Sequence, residues 1–399
     1  MKTVLVLGTT FPRFKGDTEP AFVYELSNRM AKKGYRVIVL VPHDGRAKRY
    51  EKMGMLEVYR YPYFYPFSWQ KLCYDGGIIE NLKHSFLAKI QLPLLFLSMW
   101  CNIRKFVLTK DIDFVHAHWI VPEGFLASLY RRKVPYLVTA HAGDVFTLRL
   151  PILRWMGKRA LSHCRWCTVN STATGRGVLQ IHKPRAMSLI PMGVDLHLFS
   201  PGRRNEKLRQ KYGMKGHFLL SVGRLAEKKG LDYLLKALPA VLAEFPDAKL
   251  IIVGDGPQRK PLEKLAGDLK IRENVLFVGK IPHPQLAEYF ATADIFIGPS
   301  IITKGGDTEG LGVVFLEAIA SGTCVIGSDV GGIPDIIKHK KTGLLVEQKN
   351  ISELSSAIIF ALSHPDLCKK FVRQGQFFVK KNFSWDIVVK KFENIYRQM

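Results

Sequence analysis

The sequence predicts an α/β protein built from two Rossmann-like halves, and three observations carry that prediction. Short aliphatic and β-branched runs alternate with helically periodic segments along almost all 399 residues. The first run, Lys2–Leu7, feeds a glycine-containing loop and then a helical pattern, which is how a parallel doubly wound sheet opens. The same opening recurs at Phe218, after Ser200-Pro201-Gly202 has broken the rhythm as a linker.

In the first half, the loop Gly8–Gly16 precedes a helix that Asp17 or Thr18 can cap, with Pro20 in its first turn. Phe22, Val23, Leu26 and Met30 mark its apolar face, and Gly34 ends it. Strands are predicted at Arg36–Val41, Phe114–His116, Tyr136–Thr139 and Trp166–Val169, with a run Met187–Ile190 leading into Pro191-Met192-Gly193-Val194-Asp195. In the second half, strands are predicted at Phe218–Val222, Leu250–Val253, Val275–Phe277, Ile295–Gly298 and Cys324–Gly327. Helices are expected near 231–245, 261–269 and 312–320. A last helix over Trp385–Met399 carries the stripe Val388, Phe392 and Ile395, which must pack on something.

Composition narrows the class. With 47% hydrophobic and 23% charged residues the chain has material for two cores and is not a disordered protein. Its formal charge of +25 divides as +16 over residues 1–195 and +9 over the rest. Such a field attracts nucleic acid, anionic lipid or phosphorylated small molecules, or is simply solubilising. No segment reads as a nucleic-acid module. The six cysteines include one close pair, Cys164 and Cys167, which reads as core thiols, and nothing points to an oxidising compartment. Val4–Leu7 is too short an apolar core for a secretory leader. The stretch Phe86–Trp100, interrupted by Lys89, Gln91 and Pro93, reads as too short and too broken to cross a bilayer.

Four blocks carry the chemistry. Asp307-Thr308-Glu309-Gly310-Leu311-Gly312 leads into a helix bearing Glu317, so that seven residues separate two glutamates. A glycine loop before a helix N-terminus suits a phosphate, and a carboxylate further along suits a ribose diol; an amphipathic helix with one surface Glu fits the spacing equally. Ser221-Val222-Gly223-Arg224, followed by Glu227-Lys228-Lys229-Gly230, sets cations at a strand end where a diphosphate would sit. Lys228 by itself reads as a solvated turn residue. Gly254-Asp255-Gly256-Pro257 is a tight turn at another strand end and a candidate pocket wall. In the first half, His116-Ala117-His118-Trp119 and Thr139-Ala140-His141-Ala142-Gly143-Asp144 end neighbouring strands, and their companions do not suggest zinc.

In this order the blocks resemble the retaining group-one glycosyltransferases, family four. The resemblance spans essentially the whole chain and implies a GT-B fold: two Rossmann-like domains facing across a cleft, with a C-terminal helix crossing back to the first. On that reading residues 1–197 form the acceptor domain, 198–380 the nucleotide-sugar domain and 381–399 the returning helix. The resemblance implies that Glu317 binds the ribose and Glu309 the donor sugar. Arg224 and Lys229 hold the diphosphate, and the amides of Gly310, Leu311 and Gly312 contact phosphate or sugar. His141 stands beside the reacting sugar, Gly16 near the phosphates or acceptor, and Gly279 near the base. His118, Trp119 and Asp144 fall to the acceptor side. Relatives often have a glycine pair where this chain reads Phe14-Lys15-Gly16-Asp17, and Lys15 offers a charge in its place.

The expected function is therefore transfer from a UDP- or GDP-linked sugar to a lipid-linked or cell-surface glycan acceptor. No cofactor or metal is expected, since Arg224, Lys229 and the helix N-terminus could neutralise the leaving group themselves. The expected setting is the cytoplasm, with possible attachment to an anionic inner membrane surface through the aromatic and basic stretch 59–100, whose aromatics would otherwise fill the core. The alternatives are a GT-B nucleotide-sugar epimerase, for which the first half offers Asp17, Glu19, Glu123 and Asp144 as acid/base groups, and a basic non-enzymatic binding protein.

Overall fold

The structure is a computed structural model that describes residues 1–14, 16–17, 21–74 and 76–399. Lys15, Thr18, Glu19 and Pro20, which carry sequence expectations, lie outside the described residues. The chain forms two compact units. The first comprises Met1–Asn170, Thr174–Ile190 and Val389–Met399; the second comprises Ser171–Ala173 and Pro191–Val388.

Eight strands build the sheet of the first unit: β1 Thr3–Leu7, β2 Arg36–Pro42, β3 Tyr50–Met53, β4 Leu56–Tyr61, β5 Phe114–His118, β6 Tyr136–Ala140, β7 Trp166–Val169 and β8 Met187–Leu189. Their order is β3-β4-β2-β1-β5-β6-β7-β8. All neighbours are parallel except β3 with β4. Every residue of β1, β5 and β6 is buried, and β1 accordingly reads as an apolar run and not as alternation. Leu5, Ile38, Val115, Val138 and Leu161 belong to one core with Leu95, Met99 and Ile103 of the Phe86–Thr109 helix. Each such side chain contributes about 1.5–3 kcal/mol by leaving water.

The second unit carries β9 Phe218–Val222, β10 Lys249–Val253, β11 Val275–Gly279, β12 Ile295–Gly298, β13 Cys324–Ser328 and β14 Leu344–Val346. All are parallel, in the order β11-β10-β9-β12-β13-β14. This is the doubly wound order, with the strand sequence reversing between β9 and β12. The helices Leu231–Glu244 and Ile351–Ser363 supply Leu234, Leu238 and Ile358 to its core. The final helix, Trp385–Gln398, begins in this unit, and its residues from Val389 onward belong to the first. Its predicted stripe is buried: Val388, Phe392 and Ile395 are each under 4% exposed.

Three expectations are corrected. Asp17 does not cap the first helix, which spans Phe22–Lys32 with Ala21 at its N-cap and no capping side chain. Its carboxylate instead makes a two-pronged pair with the Arg13 guanidinium, Oδ1 and Oδ2 each accepting at 2.7 Å. The stretch 59–100, expected to face a membrane or fill the core, instead begins within the sheet, because Tyr59 and Tyr61 lie on β4, paired in parallel with β2. And Pro93 does not interrupt the apolar stretch after Ser85. The helix runs from Phe86 to Thr109, 24 residues, long and apolar enough by length and composition to cross a membrane. It is laid against the first sheet along one face only, through Ala88, Gln91, Leu95, Met99, Ile103, Phe106 and Val107. The six cysteines are free, and Cys164 and Cys167 are buried as expected.

Candidate active site

In the second unit the predicted donor residues gather at the carboxyl ends of β9 and β12. A recess there is lined by Gly223, Arg224, Lys229, Gly298, Ser300 and Glu309, among others. Lys229 Nζ donates to Glu309 Oε2 at 2.5 Å. Burial pushes the Glu309 carboxyl up, but Lys229 and Lys228, with the Gly310 amide, pull it further down, leaving it below its ordinary value and ionised. Lys228 is not the free solvated residue expected of that turn, for it lies 3.2 Å from Asp307 and donates to the Thr308 carbonyl. Two cations of one turn therefore hold the loop that carries Glu309.

The backbone of these loops is packed against itself. A Cβ on Gly254, whose φ is +131°, would stand 1.9 Å from the Gly223 carbonyl, so only glycine lets the two strand-end loops touch. Gly331 is bound by the same condition, its absent Cβ falling 2.0 Å from the Glu309 carbonyl, and the Gly332 amide donates to that carbonyl at 3.1 Å. Sequence reasoning missed Gly331 and Gly332, although a Gly-Gly pair just after β13 is a readable turn signal.

Gly312 is the N-cap of the Val313–Ala320 helix, in the left-handed region at φ 85°, and no side chain caps that end. The Gly310–Gly312 loop thus leads into a helix N-terminus that favours an anion. One helical turn on, Glu317 is buried and its Oε1 lies 2.7 Å from His283 Nε2. His283 comes from the turn after β11 and had no sequence signal of its own. Gly279 closes β11, its carbonyl accepting from the Gly254 amide at 2.8 Å.

In the first unit, β5 and β6 end side by side and bring the predicted histidines together. His118 Nδ1 lies 3.0 Å from His141 Nε2, with the rings stacked at 5.2 Å. His116 stacks on the other face of this pair, 4.1 Å from the His118 ring. Its Nδ1 meets the Tyr396 hydroxyl and its Nε2 the Thr139 hydroxyl, each at 2.7 Å. Phe22 and Trp119 close around His141, with ring centroids at 4.8 and 4.9 Å. Burial pushes the His116 and His141 imidazoles down to about 3, and His118 well below its ordinary value, so all three are neutral at pH 7.

Asp144 clamps the two strand ends, Oδ1 accepting from the His141 amide at 2.9 Å and Oδ2 from the Ile120 amide at 2.6 Å. Burial lifts its carboxyl to about 6 against those donors. Trp119 and Ala142, on the clamped loops, both have φ of 78°, a strained backbone that the surrounding packing sustains. Gly16 is exposed, and among the described residues nothing lies within 4 Å of where a Cβ would stand. Of the carboxylates weighed for acid/base work, Asp17 is engaged by Arg13, Asp144 by amides, and Glu123 is wholly buried.

Both sheets, the second wholly and the first almost wholly parallel, carry their loops of chemical interest beyond the carboxyl ends of the strands, where open α/β sheets bind ligands. The family models agree: "Glycosyltransferase Family 4" matches residues 21–198 and "Glycosyl transferases group 1" residues 204–377. The GDP-mannose-dependent alpha-(1-6)-phosphatidylinositol monomannoside mannosyltransferase of Mycobacterium tuberculosis (strain CDC 1551 / Oshkosh) is 31% identical over 302 residues, covering 74% of this chain and 78% of that protein. The N-acetyl-alpha-D-glucosaminyl L-malate synthase of Bacillus anthracis is 26% identical, covering 83% and 86%. Among solved structures, sucrose-phosphate synthase from Thermosynechococcus elongatus superposes with a TM-score of 0.80 at 22% identity, over 100% of this chain and 99% of that one. Anabaena HepE in complex with UDP-glucose does so with a TM-score of 0.76 at 18% identity, over the whole of both chains. The chain belongs to the group-one, family-four glycosyltransferases and has their GT-B fold.

Proposed function

We propose that this glycosyltransferase moves a sugar, with retention of anomeric configuration and without a metal ion, from a nucleoside-diphosphate sugar to a lipid-linked or cell-surface glycan acceptor at the cytoplasmic face of a membrane. The observation that carries the reading is the Lys229–Glu309 pair, set in one recess with Arg224 beside the uncapped N-terminus of the Val313–Ala320 helix. A diphosphate leaving group needs its growing charge neutralised, and a guanidinium, an ammonium and helix amides supply this. Glu317 takes the ribose diol, and Gly279 borders the base. Glu309 holds the donor sugar, freeing Lys229 for phosphate as the sugar arrives. His141 stands beside the reacting sugar on the acceptor domain. The acceptor hydroxyl attacks the anomeric carbon from the face the diphosphate leaves, and a departing phosphate oxygen takes its proton. GDP-mannose is the first donor to try, because the relatives 31% identical over 74% of the chain are GDP-mannose-dependent mannosyltransferases of an inositol phospholipid.

A panel of GDP- and UDP-sugars with phosphatidylinositol glycolipids as acceptors, run with and without EDTA, tests this. Transfer that survives EDTA and preserves anomeric configuration is expected. Activity abolished by EDTA and restored by Mg²⁺ overturns the metal-free step, and an inverted product overturns retention.

A further inference from the structure

The aromatic stretch that precedes the Phe86–Thr109 helix splits into two sets. Tyr61 and Tyr63 are in the core and Tyr59 and Phe64 pack against it, whereas Tyr65 is 81% and Trp69 53% exposed. The stretch is tied to the helix by its backbone: Gln91 Nε2 donates to the Trp69 carbonyl at 2.6 Å, and Ser98 Oγ to the Pro62 carbonyl at 2.7 Å.

The helix itself has two apolar faces. One covers the sheet of the first unit. The other, at Phe86, Ile90, Leu94, Leu97 and Leu108, is exposed and follows a helical period for about 33 Å. Exposed Lys89, Arg104 and Lys105 flank it, and the helix contains no acidic residue. Large apolar surface of this kind is rare on a protein that meets only water.

We propose that this outward face, with Tyr65 and Trp69 beside it, seats the first unit on an anionic lipid bilayer, the helix lying in the plane of the headgroups. The inner face is committed to the domain core, so the helix cannot leave it to span the membrane. Apolar side chains bordered by Lys and Arg, with ring edges at the margin, are what a headgroup layer receives. A second copy facing this surface across a two-fold axis would set the basic rim against itself, whereas anionic headgroups complement it. The proposal extends the lipid-linked acceptor reading above, since a docked enzyme finds its acceptor in two dimensions.

The test is co-sedimentation with phosphatidylcholine vesicles, with and without phosphatidylglycerol, at low and high salt. It compares the native chain with the Leu94→Glu/Leu97→Glu variant, and GDP- and UDP-induced melting shifts are measured in parallel. The native protein is expected to bind the anionic vesicles, more weakly as salt rises, and the double variant to bind at least about tenfold less with unchanged melting and nucleotide shifts. Equal binding by the variant, or no binding by a native protein that still responds to nucleotide, overturns the docking surface and leaves the transferase reading standing. Vesicle binding without any nucleotide response supports the surface and counts against the donor site instead. A native dimer in lipid-free buffer that the double substitution converts to monomer shows that a second copy covers the face, and overturns the proposal.

Discussion

His118 Nδ1 lies 3.0 Å from His141 Nε2, and the far nitrogen of His118 is buried without a hydrogen-bond partner. A buried N–H left orphaned costs more than a buried lone pair. The proton of His118 therefore sits on Nδ1 and is donated to His141, which leaves His141 carrying its own proton on Nδ1. We propose that His118, expected on the acceptor side, positions His141. His118→Phe is expected to lower kcat about ten- to a hundredfold, the worth of one buried hydrogen bond, with little change in donor KM. Nitrogen NMR is expected to show a single His141 tautomer in the native protein and a mixture in the variant. A mixture already present in the native protein contradicts the assignment.

The three clustered histidines, His116 and His118 buried and His141 partly so, make the first unit acid-sensitive. Their folded values lie below the ordinary 6.5, so the unfolded chain takes up protons that the folded one refuses. Stability present above about pH 6.5 is lost as pH falls toward 3, by up to about 1.4 kcal/mol per pH unit for each group. Asp144, raised to about 6, works the other way: it favours folding at low pH and loses that contribution as pH climbs from about 4 through 6. Three groups against one give a net fall in melting temperature from pH 7 to pH 5, and His118→Phe should flatten it. A melting temperature that rises over this interval contradicts the burial assigned to the cluster.

On the proposed reading, Arg224 and Glu317 meet the donor. Arg224→Ala and Glu317→Gln are each expected to cut kcat/KM by about 2–4 kcal/mol of transition-state stabilisation, with melting shifted by no more than a few degrees. Near-native turnover in either purified variant removes that residue from the site.

The last helix should matter to the unit it joins. Phe392 is fully buried, and Tyr396 hydrogen-bonds His116. Phe392→Ala should cost about 3–5 kcal/mol of stability and Tyr396→Phe about 1 kcal/mol, both read by denaturant unfolding. Loss of residues 385–399 should destabilise the protein more than either. Unchanged melting on truncation contradicts the packing.

Much of this was legible in the sequence, and the exceptions have physical causes. Largely buried parallel strands such as Phe218–Val222 and Ile295–Gly298 announce themselves as apolar runs, and their ends were read to the residue. The edge strand Tyr50–Met53, half exposed along its length, has no such pattern and was not seen. Pro93 misled because it lies inside the helix, on its exposed face, where a proline is normally read as a break. Strand-end clusters were legible because topology fixes where strand ends go. The partners that cross between loops were not: the Glu317–His283 and Asp144–Ile120 contacts join residues 34 and 24 positions apart through turns no local signal describes.

The Lys229–Glu309 pair at the proposed donor site bears the central claim, and donor binding with Lys229→Gln tests it most directly. Titration calorimetry with GDP-mannose, UDP-glucose and the matching nucleoside diphosphates is expected to show one nucleotide sugar bound by the native chain and at least about tenfold weaker binding of the same ligand by the variant. Undiminished affinity in Lys229→Gln, or no binding of any nucleotide sugar by the native protein, would contradict the account.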